Sequence, residues 1–308
     1  MIDRWRRFGY ALQSRGFARR AVSSVPLAWL LLFFLIPFLI VLKLSFSEGL
    51  LAMPPYAPLL VWTHERVLLI QLHMGNYAFL FSDPLYLDSF LYSVKVAAVS
   101  TVLCLLLGYP MALGISRAPP VRRNLLLMLV ILPFWTSFLL RVYAWIGLLK
   151  DDGLINNMLI ALHLIKNPIA MVASPMAVYV GIVYSYLPFM VLPLYSNLEK
   201  HDAALLEAAA DLGAPPWKAF LRVTWPLSMP GVVAGALLVF IPAVGEYVIP
   251  SLLGPSNQLM IGRVLSDEFF ENRDWPVASA VAMLILIVLL GPIFAFQRSR
   301  SRELEAAP

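Results

Sequence analysis

The sequence predicts an all-α polytopic membrane protein with about six transmembrane helices, and three observations lead there. Apolar residue types make up 60% of the 308 residues and charged types only 13%, against roughly 45–50% and about 25% in soluble domains. A soluble fold of this length cannot hide that much apolar surface, so the excess faces lipid. The apolar residues also gather in long charge-free runs, without the period-two alternation of a β-barrel.

A helix needs about 20 mostly apolar residues to cross a hydrocarbon core of roughly 30 Å. The first charge-free run, Ala21–Leu42, has 22 residues. It is longer than a signal-peptide core and lacks a small-residue cleavage site, so it reads as a retained helix. Val96–Ser116 gives the second crossing. Asn124–Leu140 gives the third, with Arg141 alone separating it from a further apolar stretch to Leu149. Asn167–Leu198, Val223–Gly245 and Trp275–Gln297 give the rest. The expected helices cover about 25–46, 89–115, 124–149, 175–198, 227–253 and 276–297. They form a transmembrane domain over 25–297, flanked by a basic tail at 1–24 and a second tail at 298–308. A loop at 199–226 interrupts the domain. Prolines inside the runs (Pro37, Pro110, Pro133, Pro188, Pro193, Pro242, Pro250) fit kinked helices around a polar path, or the ordinary tolerance of proline in membrane helices.

Basic residues fix the orientation. Fifteen of the 23 lie in the N-terminal tail, the loop after the second helix, the loop after the fourth and the C-terminal tail. By the positive-inside rule both termini are cytoplasmic. The opposite loops are acidic, with Glu48, Asp83, Asp88, Asp151, Asp152, Asp267, Glu268, Glu271 and Asp274 among them. Docking of a partner, a field favouring cationic solutes and simple solvation all account for that excess. In the long first outer segment, the run Trp62–Met74 is expected to form a short interfacial helix.

The loop at 199–226 carries a second helix signal. Asp202 can cap it, Ala and Leu residues propagate it, and Gly213 ends it. Leu205, Ala208, Ala209 and Leu212 share one narrow apolar face, which needs a partner to cover it. Glu207-Ala208-Ala209, then Gly213 after three residues, then Val223-Thr224-Trp225-Pro226 after nine more, resembles the EAA loop of ABC importer permeases. Val223 and Trp225 replace Ile and Leu of that pattern and stay apolar. Pro133–Phe138, Arg141–Trp145, Ile241–Pro250 and Asn272–Ala280 further resemble the permeases of spermidine/putrescine importers, the likeness running from about Asp88 to Phe296.

The resemblance implies an ABC type I importer permease fold and a non-catalytic subunit that passes a small solute, a putrescine or spermidine class polyamine, into the cytoplasm. It implies a second permease subunit, two ATPase subunits and a periplasmic solute-binding protein as partners, besides the lipid bilayer of the bacterial inner membrane. No nucleic acid is involved. ATP and magnesium belong to the partner ATPase, since this chain lacks a phosphate-binding G-x-x-x-x-G-K-[ST] loop and needs no cofactor of its own. Glu207, Ala208, Ala209, Asp211, Leu212 and Gly213 would then form a coupling helix against the ATPase. Transport of another small solute and ion-coupled secondary transport are the alternatives. The latter would show no docking helix. A membrane enzyme is disfavoured, because His64, His73, His163 and His201 have no metal-binding spacing.

Glu246 is the sharpest pathway candidate. A carboxylate within a membrane segment costs about 2.5 kcal/mol or more unless it meets water or a partner. It reads as a pathway residue, or as a structural cap or ion-pair partner of Arg141. Trp135, Tyr143, Trp145, Tyr184, Tyr186 and Tyr247 gather in the same half of the helices. Such rings suit alkylammonium groups through cation–π contacts, or form an interfacial belt. Arg141 itself reads as snorkelling to the outer interface or as pairing with a carboxylate.

Overall fold

The structure, a computed structural model, describes residues 15–62 and 68–306. Arg4, Arg6 and Arg7 of the basic tail, and Glu65 and Arg66, lie outside the described residues. Among the described residues the regular elements are helices, apart from two short antiparallel strands and an isolated bridge between Gly49 and Tyr56. It divides into two compact units, the first comprising Met1–Phe79 with Asn272–Leu284, the second Leu80–Glu271 with Ile285–Pro308.

The first unit opens with α1 (Arg15–Leu30), a π-turn (Leu31–Leu35) and α2 (Ile36–Ser45), of which Val22–Ser45 is long and apolar enough to cross a membrane. The outer segment that follows is not the helix expected over 62–74. Strands β1 (Leu60–Trp62) and β2 (Leu68–Ile70) pair there instead, before α3 (Gly75–Ser82) begins. Val61, Trp62 and Ile70 are β-branched or aromatic, residue types that favour a pleated ribbon over a short helix. Side chains tie the segment back to the end of α2. Asn76 Nδ2 donates to the carbonyls of Ser45 and Ser47 at 3.0 and 2.8 Å, and the Tyr77 hydroxyl donates to Ser45 Oγ at 2.9 Å.

The second unit is built around α4 (Pro84–Ser116), α8 (Pro175–Leu198) and α11 (Trp225–Val244), which pack against one another. Small residues let these backbones approach. Gly231 and Gly235 stand four apart on α11, and a Cβ on Gly235 would lie 2.8 Å from Met190 Sδ of α8. A Cβ on Gly108 of α4 would lie 3.0 Å from Met190 Cγ. Met190 is fully buried between them, with Cys104, Val191, Leu194 and Val239 around it.

The remaining elements of this unit are shorter. α5 (Pro120–Ile131) runs into a 3-10 turn (Leu132–Trp135), and α6 (Phe138–Leu149) and α7 (Leu154–Ala161) follow. The single helix expected over 124–149 is therefore two, bent by 92° between Pro120–Trp135 and Phe138–Ala161. Pro133 explains the break, because its ring displaces the carbonyl four residues back and it has no N–H to give. A comparable break follows α11: the chain leaves the helix at Gly245 and restarts as α12 (Val248–Leu253). α13 (Ile261–Phe270) then leads to α14 (Trp275–Ala306), whose beginning belongs to the first unit. Among the described residues, four helices are long and apolar enough to cross a membrane, five with the bent pair counted as one span, and Trp275–Gly291 is a shorter apolar helix.

Candidate functional site

Two groups of candidate residues occupy the second unit, one at a helix break and one in the loop between α8 and α11. Glu246 sits in the break after α11 and is only 7% exposed. Its Oε1 accepts the N–H of Val248 at 3.1 Å and that of Ile249 at 3.4 Å, so the carboxylate caps α12. Its Oε2 accepts the hydroxyl of Tyr186 on α8. A charge buried beneath apolar helices is thus matched by three donors.

Arg141 does not join it. Its guanidinium lies over the rings of Phe134 and Phe138, 5.3 and 5.5 Å from their centroids, while Nε and Nη1 are buried without a hydrogen-bond partner. The two charges are separated by a run of ring contacts: Phe134 meets Phe189 edge-on at 5.1 Å, and Phe189 meets Tyr186 at 6.0 Å. The ion pair with Glu246 weighed from the sequence is replaced by this aromatic bridge. Trp145 and Tyr184 pair edge-on at 5.4 Å. Trp135, in the 3-10 turn, is 76% exposed, and Tyr143 and Tyr247 are also exposed. Sequence reasoning missed Phe134, Phe138 and Phe189 as partners. Their signal is present in the spacing, since Phe134 and Phe138 precede Arg141 by seven and three residues, one side of the unbroken helix the sequence predicts.

The loop group is unlike this. α9 (Ala203–Asp211) starts at Asp202, whose Oδ1 accepts the Ala204 N–H at 3.0 Å. It ends in a Schellman turn: Ala214 N–H donates to Ala209 O at 3.0 Å and Gly213 N–H to Ala210 O at 2.8 Å. Gly213 holds φ +73°, a left-handed conformation that costs other residues about 1–2 kcal/mol. Glu207, Ala208 and Asp211 are exposed, Ala209 is half-buried, and Leu212 is 87% exposed. Leu205 is exposed as well. Most of the apolar face therefore stays exposed among the described residues. Leu205 and Leu206 border a cavity of about 200 Å³ with Leu113, Leu198 and Val223.

The loop is anchored at both ends. At its start, Arg123 Nη1 donates to Glu199 Oε1 at 2.7 Å, and Arg123 Nη2 donates to the Ser116 carbonyl at 3.2 Å, joining the ends of α4, α5 and α8. After α10 (Pro216–Ala219) comes a π-turn, Phe220–Thr224, which runs directly into α11. No three of His, Cys, Asp and Glu among the described residues converge on a metal position.

Residues 104–300 match the family described as the binding-protein-dependent transport system inner membrane component, and the chain belongs to that family. It is 40% identical over 281 residues to the Haemophilus influenzae spermidine/putrescine transport system permease protein PotB, covering 91% of this chain and 93% of the relative. The Escherichia coli PotB protein is likewise 40% identical, over 85% of this chain and 90% of its own length. The fold is similar to a crystal structure of a bacterial ABC transporter involved in import of the acidic polysaccharide alginate. There the TM-score is 0.67 at 18% identity, covering 95% of this chain and 99% of that one. An inward-facing MetNI methionine ABC transporter gives 0.52 at 17% identity, over 70% and 94%. The chain is a multi-pass protein of the bacterial inner membrane.

Proposed function

We propose that this chain is a permease subunit of an ATP-driven importer that moves a polyamine of the putrescine or spermidine class from a periplasmic binding protein to the cytoplasm. The substrate class rests on the likeness to polyamine permeases across nine-tenths of the chain. The coupling to ATP rests on one observation: among the described residues, α9 leaves Leu205, Ala208 and Leu212 exposed. An ATPase subunit covers that face, and Glu207 meets a basic group there. A second permease and a second ATPase complete the assembly, with ATP and magnesium held by the ATPase pair. ATP-driven closure moves α9 as a rigid body and rocks the helices joined to it.

The translocation path follows the broken helices. Trp135, Tyr143, Tyr184 and Tyr247 offer exposed rings to alkylammonium groups, with Trp145 edge-on to Tyr184. Glu246 and Arg141 shape that path from within, Glu246 by fixing the restart of α12 and Arg141 by bracing the bend at Phe134 and Phe138. The basic loops, including loop 199–226 and both tails, face the cytoplasm. The test is uptake of labelled putrescine and spermidine in cells carrying Glu207→Arg or Gly213→Asp. Uptake should fall to background while the protein still inserts. Uptake at the wild-type rate in both variants overturns the coupling role.

A further inference from the structure

Loop 199–226 is joined to the bundle in two ways that differ in kind. The joint at its start is the Arg123–Glu199 pair, whose side chains are 26% and 42% exposed. Ion pairs in such settings contribute little and weaken with salt. The joint at its end is built from rings, the half-buried Phe220 and Trp225 around the buried Tyr109. The Trp225 N–H reaches Phe220 O, five residues back, so the chain there is one residue wider than an α-turn. Pro226 gives the reason: it has no N–H to offer the carbonyl of Arg222, and its ring would crowd that group. A π-turn interrupts the regular i→i−4 ladder and is one of the places where helices bend. Left alone it would flex when α9 and α10 move, and α11 would stay behind.

Tyr109 of α4 fills this joint. Its ring lies 5.6 Å from Phe220, edge-on, and 5.3 Å from Trp225, so it touches the residue that opens the π-turn and the one that follows it. Its hydroxyl reaches one turn further, 2.9 Å from Ser228 Oγ. Ser228 donates its own proton to the Trp225 carbonyl at 2.8 Å. A hydroxyl has one proton, so Tyr109 is the donor of the pair. Tyr109 is thus bonded to α11 beyond the π-turn while it packs against the turn's beginning.

We infer that Tyr109 is a positioning residue: it bridges the π-turn between loop 199–226 and α11, and it passes displacement of the loop to α4 and α11 together. The inference rests on the reading of the loop as the contact with an ATPase. The clasp touches neither solute nor nucleotide. Its loss lets the joint absorb the stroke, so ATP is hydrolysed with less solute moved.

The experiment reads solute imported per ATP hydrolysed by the complete transporter in proteoliposomes with saturating binding protein. Tyr109→Phe and Ser228→Ala each delete one hydroxyl at nearly constant volume, and each should lower the ratio about threefold, the worth of one hydrogen bond. Tyr109→Leu should lower it about tenfold, having lost the ring contacts too. The Arg123→Ala ratio should stay within about twofold of wild type. A role in stability alone would reduce the amount of assembled transporter and leave the ratio unchanged. A wild-type ratio in Tyr109→Phe and Ser228→Ala overturns the clasp, whether or not Tyr109→Leu assembles. Glu207→Arg separates the two levels. If it abolishes uptake while the Tyr109 and Ser228 variants couple normally, the clasp alone is wrong. If it transports normally, the reading beneath it is wrong as well.

Discussion

Glu246 and Glu207 are both carboxylates that the sequence singles out, and the fold treats them in opposite ways. Glu246 is buried, and its oxygens accept from Tyr186, Val248 and Ile249. Glu207 stands exposed on a short helix whose apolar face is mostly exposed among the described residues. The first spends its hydrogen-bonding capacity inside the molecule, while the second keeps its capacity for something else. What a charged residue does in this protein is therefore read from which of its bonds are already made, rather than from its depth along a helix.

Removing each carboxylate separates these roles most widely. Glu246→Leu leaves a buried hydroxyl and two N–H groups without acceptors, each costing about 1–3 kcal/mol. It should lower stability by roughly 3 kcal/mol or more, seen as an early thermal transition of the purified subunit. Glu207→Leu should stay within about 0.5 kcal/mol of wild type and yet lose uptake. Equal melting of the two variants would erase the distinction.

Gly213 probes the loop more gently. With a Cβ there is open space around it but φ is +73°, so Gly213→Ala meets strain and no clash. It should cost about 1 kcal/mol in the end of α9, seen as faster amide exchange at Ala210 and Leu212 with the bundle unchanged. A third carboxylate gives the smallest effect. Asp267 on α13 is half-buried, and desolvation first, then the neighbouring Glu271, raises its carboxyl above the usual range, against the pull of Arg263. An acid whose folded-state pKa is raised binds its proton more readily in the folded state. Stability therefore rises as pH falls from neutral through the raised value towards 3.8, the ordinary value, and is lost again in the other direction. Thermal scans between pH 7 and pH 4 should show a smaller acid stabilisation in Asp267→Asn than in wild type.

Much of this was legible in the sequence, and the parts that were not share a cause. Charge-free runs mark where helices lie, because lipid demands them. Asp202 and Gly213 mark both ends of α9 through local backbone chemistry alone. Pairing between distant elements leaves no such trace. That Tyr186 reaches Glu246 across 60 residues, or Tyr109 reaches Ser228 across 119, depends on how α4, α8 and α11 pack, and one sequence carries no record of that. The pairing of Leu60–Trp62 with Leu68–Ile70 was not legible because a short mixed run satisfies helix and strand patterns alike. The break at Pro133 was passed over because proline is tolerated inside membrane helices.

The three central helices meet on Met190, and the choice of that residue has a mechanical consequence. A thioether side chain is unbranched and turns easily about its bonds, so it works as a compliant bead between the smooth patches left by Gly108 and Gly235. Helices seated on such a bead can roll by small angles while the bead changes shape, and the seal around it stays closed. A branched residue would turn the bearing into a ratchet.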